Sequence, residues 1–109
     1  MKKIALLFIT IVSIGYSYSA KGMVTYKKLC YSCHGPAFKG AAMMESHEWR
    51  SLFANKATGL KALHENSQKA IERLNSSYFN RRAQALENFL INNARDKGIV
   101  RGCDGLNCG

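Results

Sequence analysis

The sequence has little proline, little acidic charge and no apolar run long enough to cross a bilayer. One proline and 47% hydrophobic residues exclude a collagen-like or intrinsically disordered chain. Four cysteines are too few for a fold built on disulfide bonds. A length of 109 residues allows one domain, which excludes a large multidomain enzyme. Only seven acidic residues oppose sixteen lysines and arginines, so the formal net charge is +9.

The N-terminus has the pattern of a secretory signal peptide. Lys2 and Lys3 precede an apolar run over residues 4–14, and small residues follow, up to Ser19 and Ala20. The run is shorter than the roughly 20 apolar residues of a membrane-spanning helix. We therefore expect cleavage after Ser19 or Ala20, export to the periplasm and no transmembrane segment in the mature chain. Removal of residues 1–19 would leave 90 residues with a net charge of +7.

Cys30, Cys33 and His34 form a C-x-x-C-H motif, the attachment signature of a c-type haem. Two thiols at this spacing can add to two vinyl groups of one porphyrin, and the adjacent imidazole can ligate the iron. A thioredoxin-like thiol pair would need a preceding strand, and no β-rich run precedes Cys30. A zinc site that also used Cys103 and Cys108 would leave His34 and the export signal unexplained. We therefore expect one covalent haem c, with His34 as the proximal iron ligand.

Gly22, Tyr26 and Cys30 follow one another at steps of four, which places them on one helix face. This stretch before the motif resembles the first helix of the class I cytochromes c, a family of small bacterial monohaem proteins. In the family, a glycine and an aromatic residue at such positions pack against the last helix. We expect Phe89 to be the aromatic residue that meets Gly22 and Tyr26. The resemblance implies an all-α fold with about four helices around one covalently attached haem.

The residues after the motif extend the resemblance. Residues 35–42 resemble the family's glycine-rich loop around the haem edge. Trp49 and Arg50 stand where several small family members have a tryptophan and an arginine directed at the haem propionates. The resemblance covers most of the mature chain, but its specific motifs lie in the first half.

Apolar spacing predicts four helices. The first covers residues 22–33, and the second begins near Ser46 as its N-cap. The third and fourth cover residues 59–74 and 78–95, separated by an Asn-Ser-Ser break that can cap the fourth, with Gly98 as a final C-cap. We divide the chain into a signal peptide at 1–19, a cytochrome c domain at 20–98 and a Gly/Cys tail at 99–109.

The class I pattern fails at the sixth iron ligand. Most members of the family supply a methionine just before the C-terminal helix, but residues 74–79 contain none. His64, on the apolar side of the third predicted helix, and Met43 and Met44 are the candidates. His47 is a further candidate, although its place at a helix start favours a solvent-facing side chain. The other alternative is an open or water-bound iron, which favours ligand binding over electron transfer.

The tail departs from the family pattern as well. Cys103 and Cys108 enclose four residues between glycines, and in an exported protein a disulfide between them is expected. So short a loop contributes little chain entropy, so local ordering of the tail is its expected effect. A redox-active pair and a partner-docking hook are the functional alternatives.

These features indicate a periplasmic electron carrier rather than an enzyme acting alone. No nucleophile–base pair or carboxylate dyad stands out, and the haem itself would exchange the electron. The positive charge suits redox partners with acidic docking faces, whereas export and the lack of a binding motif exclude nucleic acid. The alternative is a haem protein with an open sixth site, acting as a ligand sensor or as a small catalytic or accessory subunit of an oxidoreductase.

Overall fold

The computed structural model describes the backbone of residues 17–98 and the side chains of residues 20–98. Within this range the chain is all-helical and contains no strand, which confirms the all-α class. The elements are α1 (Ser17–Leu29), α2 (Tyr31–His34), α3 (Ala37–Ala41), α4 (Ser46–Leu63), α5 (Gln68–Leu74), α6 (Ser77–Asn92) and a 3₁₀ turn (Arg95–Lys97). Most of the predicted signal peptide lies outside the described residues, as does the whole tail with Cys103 and Cys108.

The packing of α1 against α6 organises the core. A Cβ on Gly22 would lie 2.4 Å from both the Ala85 carbonyl oxygen and the Phe89 Cβ, so the two backbones meet at this glycine. One α-helical turn further along α1, the rings of Tyr26 and Phe89 pack with their centroids 6.3 Å apart. Tyr26 and Phe89 are each only 2% exposed. The expected meeting of Gly22, Tyr26 and Phe89 is therefore confirmed.

The predicted first helix is divided at the C-x-x-C-H motif. Helix α1 ends at Leu29, Cys30 forms a turn, and α2 begins at Tyr31. Gly35 follows α2 with φ +76°, a conformation that a residue with a Cβ rarely adopts, and it ends the helix. The prediction of one continuous helix over residues 22–33 was thus wrong, because the helix is interrupted at Cys30.

The predicted third helix, over residues 59–74, is also two segments. The first is the end of α4, and the second is α5, which begins after Ser67. Ser67 has extended φ and ψ angles, and its hydroxyl accepts a hydrogen bond from the Ala70 amide. Its role as an N-cap, rather than as a residue of the apolar stripe, explains why the helix restarts there.

Helix α4 contains a left-handed break over residues 54–57. Asn55, Lys56 and Ala57 have φ values of +54°, +59° and +60°. The left-handed conformation costs about 1–2 kcal/mol for each non-glycine residue. The break separates two right-handed segments, as the separate second and third predicted helices required, and it redirects the chain before Leu60 and His64.

Ser46 does not cap α4, contrary to expectation. Glu45 is the N-cap, and Glu48 completes a capping box by accepting a hydrogen bond from the Glu45 amide at 2.8 Å. Ser46 instead donates from its amide and its hydroxyl to the two carboxylate oxygens of Asp96. This tertiary pairing with a residue 50 positions away decides the role of Ser46.

The glycine-rich segment after the motif is helical rather than a loop. Helix α3 buries Ala37, Gly40 and Ala41.

At the other end of the domain, Ser76 caps α6 by accepting a hydrogen bond from the Phe79 amide, which confirms the predicted cap in the Asn-Ser-Ser break. Helix α6 ends at Asn92, three residues before the predicted end, and Gly98 caps the 3₁₀ turn in the left-handed conformation.

Candidate functional site

The three residues of the C-x-x-C-H motif share one turn of backbone. The amide of His34 donates to the Cys30 carbonyl at 2.9 Å, and the amide of Cys33 donates to the same oxygen at 3.2 Å. Cys30 is half-buried, Cys33 and His34 are exposed, and the two thiols are not joined by a disulfide. All three side chains line a single cavity. The structure therefore brings the side chains of Cys30, Cys33 and His34 together at one cavity.

The cavity has a volume of about 440 Å³ and is mostly apolar. Its lining includes apolar side chains from α1, α4, α5 and α6: Leu29, Leu52, Phe53, Leu60, Leu63, Leu74, Leu86 and Leu90. Two of its lining residues, Leu63 and Met43, are 62% and 41% exposed. A volume of several hundred Å³ with apolar walls and a few polar groups is the form of a cofactor site.

The thiol of Cys30 has a pKa that argues against a redox-active thiol pair. Burial raises this pKa to about 12, against a smaller lowering by the positive charge of Arg73. Reactive thiols of the thioredoxin type have lowered pKa values, because the thiolate is the nucleophile. The Cys30 thiol is therefore protonated at neutral pH, as expected for a structural or an attachment cysteine.

Arg73 ties α5 to the motif. Its guanidinium donates from Nη1 to the Leu29 carbonyl at 3.0 Å and to the Ser32 hydroxyl at 2.9 Å. Arg73 and Lys69, one helical turn earlier, also line the cavity, so this wall carries positive charge. Sequence reasoning missed both residues. Their spacing on α5 was the available signal, but only the fold brings them to the motif.

Tyr26 fixes the segment that follows the motif. Its hydroxyl donates a 2.8 Å hydrogen bond to the carbonyl of Gly35, the residue directly after His34. The same ring lies against Gly40 of α3, where a Cβ would come within 2.4 Å of the tyrosine Cζ. Tyr26 thus joins α1, the motif and α3, and the glycine at position 40 is required for that contact.

His64 faces His34 across the cavity. The centroids of the two imidazole rings are 5.9 Å apart, and the ring planes stand at 87°. Nδ1 of His64 lies 2.7 Å from the carbonyl oxygen of Leu60. Burial, and to a smaller extent His64, lowers the pKa of His34, which favours the neutral imidazole that binds metals.

The other ligand candidates have different surroundings. Met43 and Met44 line the cavity, and their carbonyls accept hydrogen bonds from Arg95, at 3.4 Å from Nη1 and 3.0 Å from the backbone amide. His47 does not line the cavity. It is exposed, and its Nδ1 lies 3.4 Å from the Glu45 carboxylate, as the sequence had suggested for a solvent-facing side chain.

Trp49 and Arg50, which the family resemblance directs at the haem propionates, have different surroundings in the structure. Trp49 is buried and lines the cavity, but its indole N–H donates to the Ala41 carbonyl at 2.8 Å. This bond occupies the only donor that the indole has. Arg50 is exposed and does not line the cavity. Positive charge reaches the cavity from Lys69 and Arg73 instead.

Comparison of the chain with protein-family models, with curated proteins and with solved structures gave no match. Among the side chains of residues 20–98, no three His, Cys, Asp or Glu residues gather into a metal-binding group. No helix in the described part of the chain is long and apolar enough to cross a membrane.

Proposed function

We propose that this protein is a periplasmic monohaem c-type cytochrome with a class I-like fold, and that it carries single electrons between redox partners. The observation that carries the proposal is the placement of Cys30, Cys33 and His34 on one wall of an apolar cavity, with His64 facing His34 at 5.9 Å. The sequence motif alone gives the attachment chemistry. The cavity adds a space bounded by the side chains that this chemistry needs.

The attachment step involves both cysteines. Cys30 and Cys33 would each hold the haem through a thioether, formed by addition of the S–H bond across one vinyl group, which needs no oxidant. His34 would hold the iron from the same turn of backbone, because the hydrogen bond from its amide to the Cys30 carbonyl fixes its position relative to the thiols. Bound in this way, haem c supplies reversible one-electron exchange at its iron.

The apolar walls give a physical reason for a cofactor. A large apolar group bound in the cavity of about 440 Å³ would remove the apolar lining from water. A mature domain of 90 residues buries little core of its own and would gain stability from such a cofactor.

The arrangement of the first and last helices supports a class I-like fold. The family resemblance implies contact between a glycine and an aromatic residue of the first helix and the last helix. Gly22 and Tyr26 of α1 make that contact with Phe89 of α6. Tyr26 also bonds to the segment beside His34, so the helix crossing and the haem-attachment motif are directly connected.

The charge balance favours acidic redox partners. The mature chain would carry a net charge of +7, and Lys69 and Arg73 lie at the cavity that would hold the haem. Electrostatic attraction of this kind raises the rate of encounter with an acidic docking face. The predicted signal peptide places these encounters in the periplasm.

The decisive experiment is production of the full chain in a bacterium that has a c-type haem maturation system. We expect the exported protein to retain haem after denaturing electrophoresis and to gain the mass of one haem. The double variant Cys30→Ala, Cys33→Ala should lose this covalent haem. The matched control is Cys103→Ala, Cys108→Ala, which removes the other two cysteines and should keep it.

Two outcomes would contradict the proposal. One is an exported wild-type chain with no covalent haem. The other is covalent haem in the double variant of Cys30 and Cys33. A haem protein that fails to exchange electrons with soluble redox reagents would retain the cofactor assignment but exclude the carrier function.

A further inference from the structure

We propose that His64 is the second axial ligand of the haem iron, so that His34 and His64 bind the metal from opposite sides. This inference rests on the proposed function, since it requires a haem attached at Cys30 and Cys33. It replaces the methionine expected from the class I resemblance with a second imidazole. It also excludes the open iron site on which a ligand sensor would depend.

The separation of the two rings fits one metal ion between them. A bond from a histidine nitrogen to a metal is about 2.0–2.1 Å long, and two such bonds in line place the ring centroids roughly 6.4 Å apart. The observed separation of the centroids of His34 and His64 is 5.9 Å, so a shift of about half an ångström would admit one metal ion between the rings. Edge-to-face contacts between aromatic rings span about 4.5–7 Å, so this spacing fits either a direct ring contact or one metal ion between the rings.

The hydrogen bond of His64 selects the nitrogen that would bind. The Leu60 carbonyl oxygen can only accept, so Nδ1 of His64, at 2.7 Å, carries the proton. In the neutral imidazole the lone pair then lies on Nε2, which is the atom free to ligate iron. Ligating histidines commonly donate their other ring N–H to a backbone carbonyl, which fixes the orientation of the ring.

The backbone of His64 is held on both sides. Its amide donates to the Lys61 carbonyl at 3.0 Å, and its carbonyl accepts from the Ser67 amide at 2.9 Å. His64 is the C-cap of α4, between the end of that helix and the Ser67 cap of α5. The ring therefore belongs to a preorganised position rather than to a free loop, as a ligand of defined geometry needs.

The two methionines lie at the other end of α4. Both precede its N-cap, and Arg95 binds their carbonyls and so attaches this segment to the 3₁₀ turn. Met44 packs against the hydrophobic core, while the side chain of Met43 is 41% exposed. These residues are suited to covering the apolar cofactor, whereas His64 has its ring against that of His34.

The test uses the full haem-loaded chain in the ferric state. Wild type should be low-spin, without the red absorption band that a methionine ligand produces. The ring planes at 87° should also give a strongly anisotropic electron paramagnetic resonance signal, because perpendicular imidazoles leave two iron d orbitals nearly equal in energy. A methionine band in the wild-type spectrum would overturn the assignment without any variant.

Variants separate His64 from the other candidates. His64→Ala should become high-spin and bind carbon monoxide in the ferrous state, and added imidazole should restore the low-spin spectrum. His64→Met should lose the electron paramagnetic resonance signal of two histidine ligands and gain the red absorption band of a methionine ligand. His47→Ala, outside the cavity lining, is the control and should keep the wild-type spectrum. Met43→Leu and Met44→Leu test the competing ligands and should keep the low-spin state.

Each failure has a distinct meaning. Covalent haem with an unchanged low-spin spectrum in His64→Ala would overturn the assignment of His64 and leave the proposed function intact. Loss of the low-spin spectrum in Met43→Leu or Met44→Leu would assign a methionine instead. Absence of covalent haem from wild type would overturn the proposed function and this inference together.

Discussion

Gly22 and Phe89 meet at the point where the first and last helices cross. A Cβ at Gly22 would lie 2.4 Å from the Phe89 Cβ and equally close to the Ala85 carbonyl oxygen. Both are part of, or directly attached to, the backbone of α6, so neither can move without shifting the helix. The close approach of α1 and α6, and with it the position of Tyr26, therefore depends on a glycine at this position.

Gly22→Ala should consequently destabilise the domain although alanine favours helix. We expect a loss of about 1–3 kcal/mol in the free energy of unfolding, the usual range for overpacking a core. Denaturant unfolding of the haem-loaded protein measures it. Val24→Ala, at a 56% exposed position of the same helix, is the control and should change stability little. An unaltered midpoint for Gly22→Ala would contradict the tight crossing.

In the left-handed break of α4, a substitution to glycine should stabilise the protein. Lys56 has φ +59°, so Lys56→Gly removes a conformational penalty of about 1 kcal/mol and should stabilise the protein. Lys61→Gly, in the right-handed part of the same helix, should destabilise it by about 1 kcal/mol. The two variants lose the same side chain, so denaturant unfolding compares the backbones directly. A loss of stability in both would show that the break is not left-handed.

The carboxyl of Asp96 should make the stability of the protein depend on pH. Hydrogen bonds from Ser46 lower the pKa of this carboxyl in the folded state below its unfolded value. The stabilisation is thus present above the unfolded pKa of about 3.9 and is lost as the pH falls through the lower folded pKa. Asp96→Asn should melt below wild type at pH 7, and the two melting temperatures should converge at strongly acidic pH. Glu65→Gln, at an exposed position, is the control. A constant difference across this range would contradict the prediction.

The positive charge predicts how salt affects electron exchange. Oxidation of the reduced haem protein by a negatively charged inorganic complex should slow as ionic strength rises, because salt screens the attraction. A positively charged complex should show the opposite trend. Stopped-flow measurement at several salt concentrations distinguishes the two. Lys69→Gln should weaken the salt dependence more than Lys39→Gln, since Lys69 lines the cavity and Lys39 does not. Equal salt effects with both complexes would mean that the net charge does not act at the site of electron transfer.

Much of the helical core followed from local patterns. The four-residue step placed Gly22 and Tyr26 on one helix face, and the class I resemblance implied that this face meets the last helix, whose apolar stripe contains Phe89. The Asn-Ser-Ser break over residues 75–77 predicted a cap at the start of α6, because N-caps are local interactions. Helix ends were less predictable, since Ser67 reads equally as a polar residue within a helix or as a cap. Ser46 was misassigned because its partner, Asp96, is distant in sequence.

The part of the candidate site that contains the C-x-x-C-H motif could also be predicted from local sequence. Cys30, Cys33 and His34 are neighbours in sequence, and their chemistry follows from the spacing alone. The opposite part of the site, which contains His64, could not be predicted from local sequence. His64 was one of several ligand candidates, and no sequence pattern gave its ring separation from His34. The indole bond from Trp49 to Ala41 and the contact of Arg73 with the motif were equally invisible in the sequence.

The sequence by itself determined the C-x-x-C-H motif, the helical class, the placement of Gly22 and Tyr26 on one helix face and the excess of positive charge. Each depends on residue type and on spacing within a few turns. Tertiary structure alone decided that His64 would face His34, that Arg73 would hold the motif, and that Ser46 would bind Asp96. Those pairings join residues at least 30 positions apart, so the crossing of α1 with α6 and the break in α4 had to set them.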